Sequence, residues 1–132
     1  MTSRCTPTGR RGSPLQAGES RDYEGDKAVK EIPCYVFRVD AGIGEGLPVI
    51  VGMDRPNGIC FTPGESRLYV VDLGHIRIFD MDGTTPVNGR VFVEVGPGGS
   101  DGIRTDRDGN LWSAAGGGGP GFDGVHCYSL ER

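Results

Sequence analysis

The sequence predicts an all-β fold, a partial β-propeller of about two and a half blades with four short strands in each complete blade. Two observations predict it. Glycine makes up 24 of the 132 residues and separates short runs of β-branched and aromatic residues, which is typical of strands joined by tight turns. Several short motifs also occur twice along the chain. No segment of useful length has the helical i, i+3, i+4 spacing of apolar residues.

Short runs bounded by turn residues mark the individual strands. We predict strands at residues 34–40, 47–51, 58–62, 67–72, 75–80, 90–95, 102–106, 110–115 and 124–129. Asp82-Gly83 and Arg107-Asp108-Gly109 have the composition of tight turns. The glycine-rich tract at 116–121 is then a long connection, and it lacks the G-K-[ST] ending of a phosphate-binding loop.

The repeated motifs give the period of the fold. Pro56-Asn57-Gly58-Ile59 corresponds to Ser100-Asp101-Gly102-Ile103, with an offset of 44 residues (101 − 57). Arg67-Leu68-Tyr69-Val70 corresponds to Asn110-Leu111-Trp112-Ser113, with an offset of 43 residues (111 − 68). A period of about 40–45 residues is typical of a propeller blade. A sandwich-type binding module is an alternative, but it does not need an internal repeat.

The period assigns one complete blade to residues 57–95 and three strands of the next blade to residues 101–129. The strands at 34–40 and 47–51 then form the outer half of a preceding blade. A closed propeller takes about 4–8 blades, and each blade buries its faces against its neighbours. We therefore expect the isolated chain to have low stability and to self-associate through its unpaired blade faces.

Charge and hydropathy exclude several classes of partner. The net charge is −4 and Lys and Arg form no dominant patch, so we expect no nucleic-acid partner. No apolar run approaches the ~18–20 residues that span a bilayer, so we expect no membrane partner. Residues 1–20 lack the apolar core of a secretory signal, and we predict a cytoplasmic location. The cysteines form no C-x-x-C pair, and those in strands are predicted to be small buried thiols.

Two polar residues occupy the same place in successive repeats. Asn57 and Asp101 each precede a glycine and the first strand of a blade, which lines the central channel of a propeller. Their side chains would therefore point towards one axial position, and amide and carboxylate oxygens are the ligands that Ca²⁺ prefers. The alternative is that Asn-Gly and Asp-Gly are turn dipeptides. Spacing alone leaves both interpretations open.

The motifs together resemble a known family. Pro56-Asn-Gly-Ile-Cys-Phe-Thr-Pro63, Arg67-Leu-Tyr-Val-Val-Asp72, Ser100-Asp-Gly-Ile-Arg-Thr-Asp106 and Gly109-Asn-Leu-Trp112 follow one another at a fixed order and spacing. In this order they resemble the senescence marker protein, gluconolactonase and luciferin-regenerating enzyme family, and the gluconolactonase branch most. The resemblance covers residues 22–128.

The resemblance implies a six-bladed propeller that holds one divalent cation at its axis and hydrolyses a sugar lactone such as gluconolactone. Asn57 falls on the family's metal-binding Asn. Asp101 falls on its metal-binding Asp, which is also the proposed general base. The implied cation is Ca²⁺, with Zn²⁺ and Mg²⁺ as alternatives, and the implied partner is a small-molecule sugar lactone. Such a cation polarises the lactone carbonyl, while the carboxylate takes a proton from the attacking water.

Two features depart from the family pattern. Its third ligand, a Glu, and its substrate-binding Arg and Asn find no match in residues 1–21, which we predict to be a disordered leader without family resemblance. Residues 22–132 then form an incomplete propeller, and the tract at 116–121 looks enlarged. We expect a lactonase fragment that holds its cation weakly and is inactive as an isolated chain. The alternative is a non-catalytic partial propeller that acts only as a binding or structural module.

The remaining polar residues favour structural roles. His75 and His126 share no ligand spacing, and Ser100 and Ser113 have no His and Asp arrangement that would make either a nucleophile. Asp residues that end strands are expected to cap turns or face solvent. They are Asp72, Asp80 and Asp106. Tyr69 and Trp112 are expected to pack between blades.

Overall fold

The computed structural model describes residues 4–7, 33–40, 42 and 44–130, and every element within them is a β-strand. The strands are β1 (Arg4–Pro7), β2 (Val36–Val39), β3 (Gly46–Ile50), β4 (Pro56–Phe61), β5 (Arg67–Asp72), β6 (His75–Asp82), β7 (Thr85–Glu94), β8 (Gly99–Thr105), β9 (Leu111–Gly116) and β10 (Gly124–Tyr128). Among the described residues, no helix has the length and apolar character needed to cross a membrane.

The strands form three small sheets, in the orders β1-β2-β3, β4-β5-β6-β7 and β8-β9-β10. This arrangement confirms the predicted all-β partial propeller, with one sheet of four strands followed by one of three. The chain divides into two compact units, residues 1–56 and 57–132. Strand β1 lies in the segment 1–21, for which no strand was predicted. Most of that segment lies outside the described residues, so the disordered leader stays a prediction there.

The first unit contains the paired strands β2 and β3. Val36 pairs with Ile50 and Val39 pairs with Gly46 in an antiparallel register. Val36 and Ile50 are buried, whereas Leu47 is half exposed. At the end of β2, the central strand of this sheet, Arg38 donates to Asp40 over 2.9 Å in an ion pair. The predicted outer strands at 34–40 and 47–51 are therefore present and paired with each other.

The second unit has a core that lies between its two sheets. Because side chains alternate across a strand, Tyr69 and Val71 of β5 face the same way as their partners on β6. Ile103 of β8 and Leu111 of β9 cover them from the next sheet. The buried members are Tyr69, Val71, Ile76, Ile78, Val95, Ile103 and Leu111. The expected packing of Tyr69 between blades is confirmed.

The corresponding face of the following sheet is not covered by the described residues. Trp112 pairs with Cys127 and Ala114 pairs with Val125. Tyr69 and Val71 of β5 occupy the equivalent positions in the preceding sheet, where they pair with β6. Trp112 is 44% exposed and Val125 is 69% exposed. The expectation that Trp112 packs between blades is therefore wrong for this chain. Cys127 is also exposed, because it lies on this uncovered face and not in the core.

The turns between β4 and β5 and between β8 and β9 explain why the two repeat offsets differ by one residue. Thr62 N donates to Arg67 O over 2.9 Å in one turn, and Asp106 N donates to Asn110 O over 3.0 Å in the other. Thr62 and Asp106 are 44 residues apart, whereas Arg67 and Asn110 are 43 residues apart. The second turn is thus one residue shorter. In both turns the side chain of the first residue accepts the N–H of the last.

Asp106 is the most heavily bonded of these turn residues. Its carboxylate accepts hydrogen bonds from the backbone N–H groups of Asp108 and Asn110, the Asn110 amide and the Trp112 indole. These hydrogen bonds stabilise the charged form and lower the pKa of Asp106 to about 2, and the bond from Trp112 has the largest effect. The predicted turn-capping role of Asp106 is confirmed.

Asp106 makes folding sensitive to acid. Its pKa is lowered from 3.8 to about 2. Its contribution to the free energy of unfolding is therefore complete above the pKa of the unfolded chain and is lost as the pH falls through the pKa of the folded chain. We expect Asp106→Asn to lower the free energy of unfolding at neutral pH and to flatten its fall between about pH 4 and pH 2. Urea denaturation across this range measures both. Asp108→Asn, at an exposed position in the same turn, is the control and should leave the acid profile unchanged.

Candidate functional site

The predicted site residues lie on the first strands of two neighbouring sheets. Asn57 is half-buried in β4 and Asp101 is exposed in β8. Each strand lies at the edge of its own sheet. Both residues are near the start of their strand, as the repeat predicts.

Gly58 brings these two strand starts into contact. A Cβ atom placed on Gly58 would collide with the carbonyl oxygen of Asp101 and would lie 3.1 Å from the backbone N of Ile103. The two backbones approach this closely only because Gly58 has no side chain. Residues that lie one repeat apart in the sequence are therefore in contact in the structure.

The same two strands also meet at their other end. The hydroxyl of Thr105 donates to the carbonyl oxygen of Phe61 over 2.7 Å, between residues 44 positions apart. Strands β4 and β8 therefore run side by side, and Asn57 and Asp101 are at the same end of the pair. Their assignment as metal ligands remains a prediction.

Asp101 lies on a β-bulge. Ser100 pairs with Ala115 and Ile103 pairs with Ser113, so two residues of β8 oppose one residue of β9. Those two residues are Asp101 and Gly102, and both are exposed. A bulge leaves a residue out of the ladder and re-aims its side chain, and bulges are frequent next to active sites. A glycine inside a strand often marks a bulge, and Gly102 is such a local signal, but the position of the bulge depends on how β8 pairs with β9.

Two connections lie at the same end as Asp101. The β5–β6 turn contains only Leu73 and Gly74, and a Cβ placed on Gly99 would lie 3.6 Å from the Leu73 carbonyl oxygen. The β9–β10 connection leaves the sheet at Gly116, which pairs with Gly99. The predicted long connection is present there, and within it Asp123 accepts the N–H groups of Gly118 and Gly119 over 2.8 and 3.1 Å.

The other candidate groups have structural surroundings. His75 Nε2 lies 3.8 Å from the carboxylate of buried Asp72, and His126 Nδ1 lies 3.2 Å from the Tyr128 hydroxyl. Burial raises the pKa of the Cys60 thiol to about 11. A thiol with so high a pKa stays protonated at neutral pH and is a poor nucleophile or metal ligand. Within the described ranges, no three His, Cys, Asp or Glu side chains are grouped to hold a metal ion.

The family described as the SMP-30/gluconolactonase/LRE-like region matches residues 8–131. The chain belongs to this family. The match begins earlier than residue 22, where the motifs that we recognised in the sequence begin. No curated protein matched this family member.

Solved structures similar to this family member share its fold. A gluconolactonase from Xanthomonas campestris is 30% identical, with a TM-score of 0.66 over 79% of this chain and 34% of that one. A luciferin-regenerating enzyme is 19% identical, with a TM-score of 0.61 over 80% and 34%. A calcium-binding protein, regucalcin, from Agrobacterium tumefaciens is 24% identical, with a TM-score of 0.57 over 72% and 36%. The chain thus spans about a third of the length of each.

The contact at Gly58 predicts that alanine substitutions at two equivalent glycines, Gly58 and Gly102, have different effects on stability. Gly58→Ala should lower the free energy of unfolding by about 1–3 kcal/mol, because the added methyl group meets backbone atoms of β8 that must shift. Gly102→Ala is the matched control, since Gly102 occupies the same repeat position and has no atom within 4 Å of an added Cβ. Urea denaturation of both variants makes the comparison. Equal losses would show that β4 and β8 do not approach closely in solution.

Proposed function

We propose that this chain is part of a cation-dependent sugar lactonase and supplies two of its oxygen ligands, Asn57 and Asp101. Family membership supports the class of reaction, since a gluconolactonase is among the similar structures. The observation that carries the site is the contact of Gly58 with the Asp101 carbonyl group. It brings the starts of β4 and β8 together within one compact unit.

The donor set suits a hard divalent cation in part. The side chains of Asn57 and Asp101 offer amide and carboxylate oxygens, which suit Ca²⁺ better than Zn²⁺, and Mg²⁺ is a further candidate. Ca²⁺ takes 6–8 oxygen ligands, so two protein residues leave most positions to water or to other groups. We therefore infer weak binding by the isolated chain. Affinity falls with the number and charge of the ligands.

The proposed reaction is the opening of a lactone ring by water. When bound, a divalent cation would polarise the lactone carbonyl group. The exposed carboxylate of Asp101 takes a proton from the attacking water, whose oxygen forms a bond to the carbonyl carbon. The bond between that carbon and the ring oxygen then breaks, the ring oxygen gains a proton, and the product is the open hydroxy acid. The amide of Asn57, at the start of β4, would hold the cation in place.

Cation binding is tested by an NMR titration of the full chain with CaCl₂. We expect the amide signals of residues 57, 58, 101 and 102 to shift, with a dissociation constant in the millimolar range of weak calcium modules, about 10⁻⁴–10⁻³ M or weaker. Asp101→Asn should abolish these shifts. Asp108→Asn, an exposed carboxylate on another turn, should leave them intact. A site of submicromolar affinity would contradict the proposed pair of ligands.

Catalysis by the isolated chain is the second test. We expect gluconolactone to be hydrolysed no faster than in buffer alone, because the described residues contain no group of three ionisable ligands and the chain spans about a third of similar structures. A pH-indicator assay with and without CaCl₂ measures the rate. Cation-dependent turnover that Asp101→Ala removes would show that two ligands suffice.

The alternative is a partial propeller without catalysis that acts as a binding or structural module. The exposed face of the β8–β10 sheet favours it, since Trp112 and Val125 lie open where the equivalent residues of the preceding sheet are buried. Self-association through such a face stays a prediction. Calcium-dependent shifts at Asn57 and Asp101 distinguish the two functions, because the module needs no cation.

A further inference from the structure

The bulge that carries Asp101 is closed by a buried pair of hydroxyl groups. Ser100 Oγ and Ser113 Oγ lie 2.6 Å apart, and the two residues are only 7% and 1% exposed. A buried hydroxyl without a hydrogen-bond partner destabilises the folded state, so each serine depends on the other. Neither has the His and Asp partners of a nucleophile, and their burial keeps both away from a substrate.

The position of this hydrogen bond in the sheet is specific. Ser100 immediately precedes Asp101, and Ser113 pairs in register with Ile103, the first residue after the bulge. The bond between the hydroxyls therefore joins the residue before the bulge to the ladder position after it. Removing it would free Asp101 and Gly102 to slip towards regular pairing with β9.

The preceding repeat shows that the hydroxyl pair is not a general requirement of this fold. The positions equivalent to Ser100 and Ser113 are Pro56 and Val70, neither of which carries a hydroxyl group. Both are buried, and Val70 is fully so. Residues without a hydroxyl group thus occupy both positions in the preceding repeat. The serine pair occurs in the repeat whose first strand carries the carboxylate.

We propose that Ser100 and Ser113 are positioning residues: their mutual hydrogen bond fixes the Asp101–Gly102 bulge and thereby the direction of the Asp101 carboxylate, at the place where β8 approaches the start of β4. This inference rests on the proposed function of Asp101. The bond acts on the backbone and touches neither cation nor lactone. Its role is therefore distinct from that of the two ligands.

The test uses the full chain and compares Ser113→Ala, Ser100→Ala and the double variant with Thr62→Val. Thr62→Val is the matched control, because it removes a buried hydroxyl that is bonded to Arg67 in the turn of the neighbouring sheet, at the end of β4 away from Asn57. In NMR titrations with CaCl₂, each serine variant should weaken binding by about three- to tenfold, as loss of one hydrogen bond implies. The double variant should be no weaker than the single ones, since one bond is lost in each. Thr62→Val should bind as the wild type does.

A second measurement reports the bulge whether or not a cation binds. The close approach of Gly58 to Ile103 should give a nuclear Overhauser effect between the Gly58 α-protons and the Ile103 N–H. We expect it to weaken in the serine variants and to persist in Thr62→Val. If wild-type protein shows this effect but no calcium response, the proposed cation site fails while the positioning role is still tested.

The results of the titration and of the Overhauser measurement together decide the inference. Wild-type calcium affinity and an unchanged Overhauser effect in Ser113→Ala and Ser100→Ala would overturn the inference. So would an equal loss of affinity in Thr62→Val, since that would indicate a general effect of stability. If Ser113→Ala does not fold, Ser100→Ala carries the comparison. Failure of both to fold would show that the pair supports the core and would also overturn the inference.

Discussion

The packing of strands β8 and β9 against the four-stranded sheet is the interaction on which the rest of this unit depends. Tyr69 and Ile76 present an apolar face that becomes dry only when Ile103 and Leu111 cover it. This burial supplies the main favourable free energy, because it removes contiguous apolar surface from water. It also sets the distance between β4 and β8, and the absence of a side chain at Gly58 is what that distance demands.

The candidate site follows from this packing because it is divided between two sheets. Asn57 and Asp101 belong to different sheets, so neither sheet alone could form the pair. Any change that separates the sheets would also separate these two residues, which couples the candidate site to the core. The serine pair adds a second, local constraint at Asp101, where the ladder between β8 and β9 is irregular. The buried serine pair thus fixes the position of the Asp101-Gly102 dipeptide, whose composition is typical of turns.

Much of the fold could be predicted from local pattern. The turn at Asp82-Gly83 reflects a short-range rule that holds in nearly any context, and the recurrence of Asn57-Gly58 as Asp101-Gly102 reflects the period of the blades. Trp112 shows where such reasoning stops. Its likeness to Tyr69 predicted packing between blades, but whether an aromatic face is covered depends on the neighbouring sheet. The strand β1 was equally invisible to periodicity. The change of repeat offset from 44 to 43 residues, by contrast, already marked the shorter turn.

By itself the sequence determined the class of fold, the strand order within each repeat and the identity of the two candidate ligands, because alternation, turn chemistry and period are properties of neighbouring residues. Only the tertiary structure decided that Gly58 touches the Asp101 backbone, that Asp101 lies on a bulge, and that Ser100 and Ser113 close it. These features arise from contacts between strands that are 13 to 44 residues apart in the chain. Register and close approach are set when sheets pack, and no local pattern carries them.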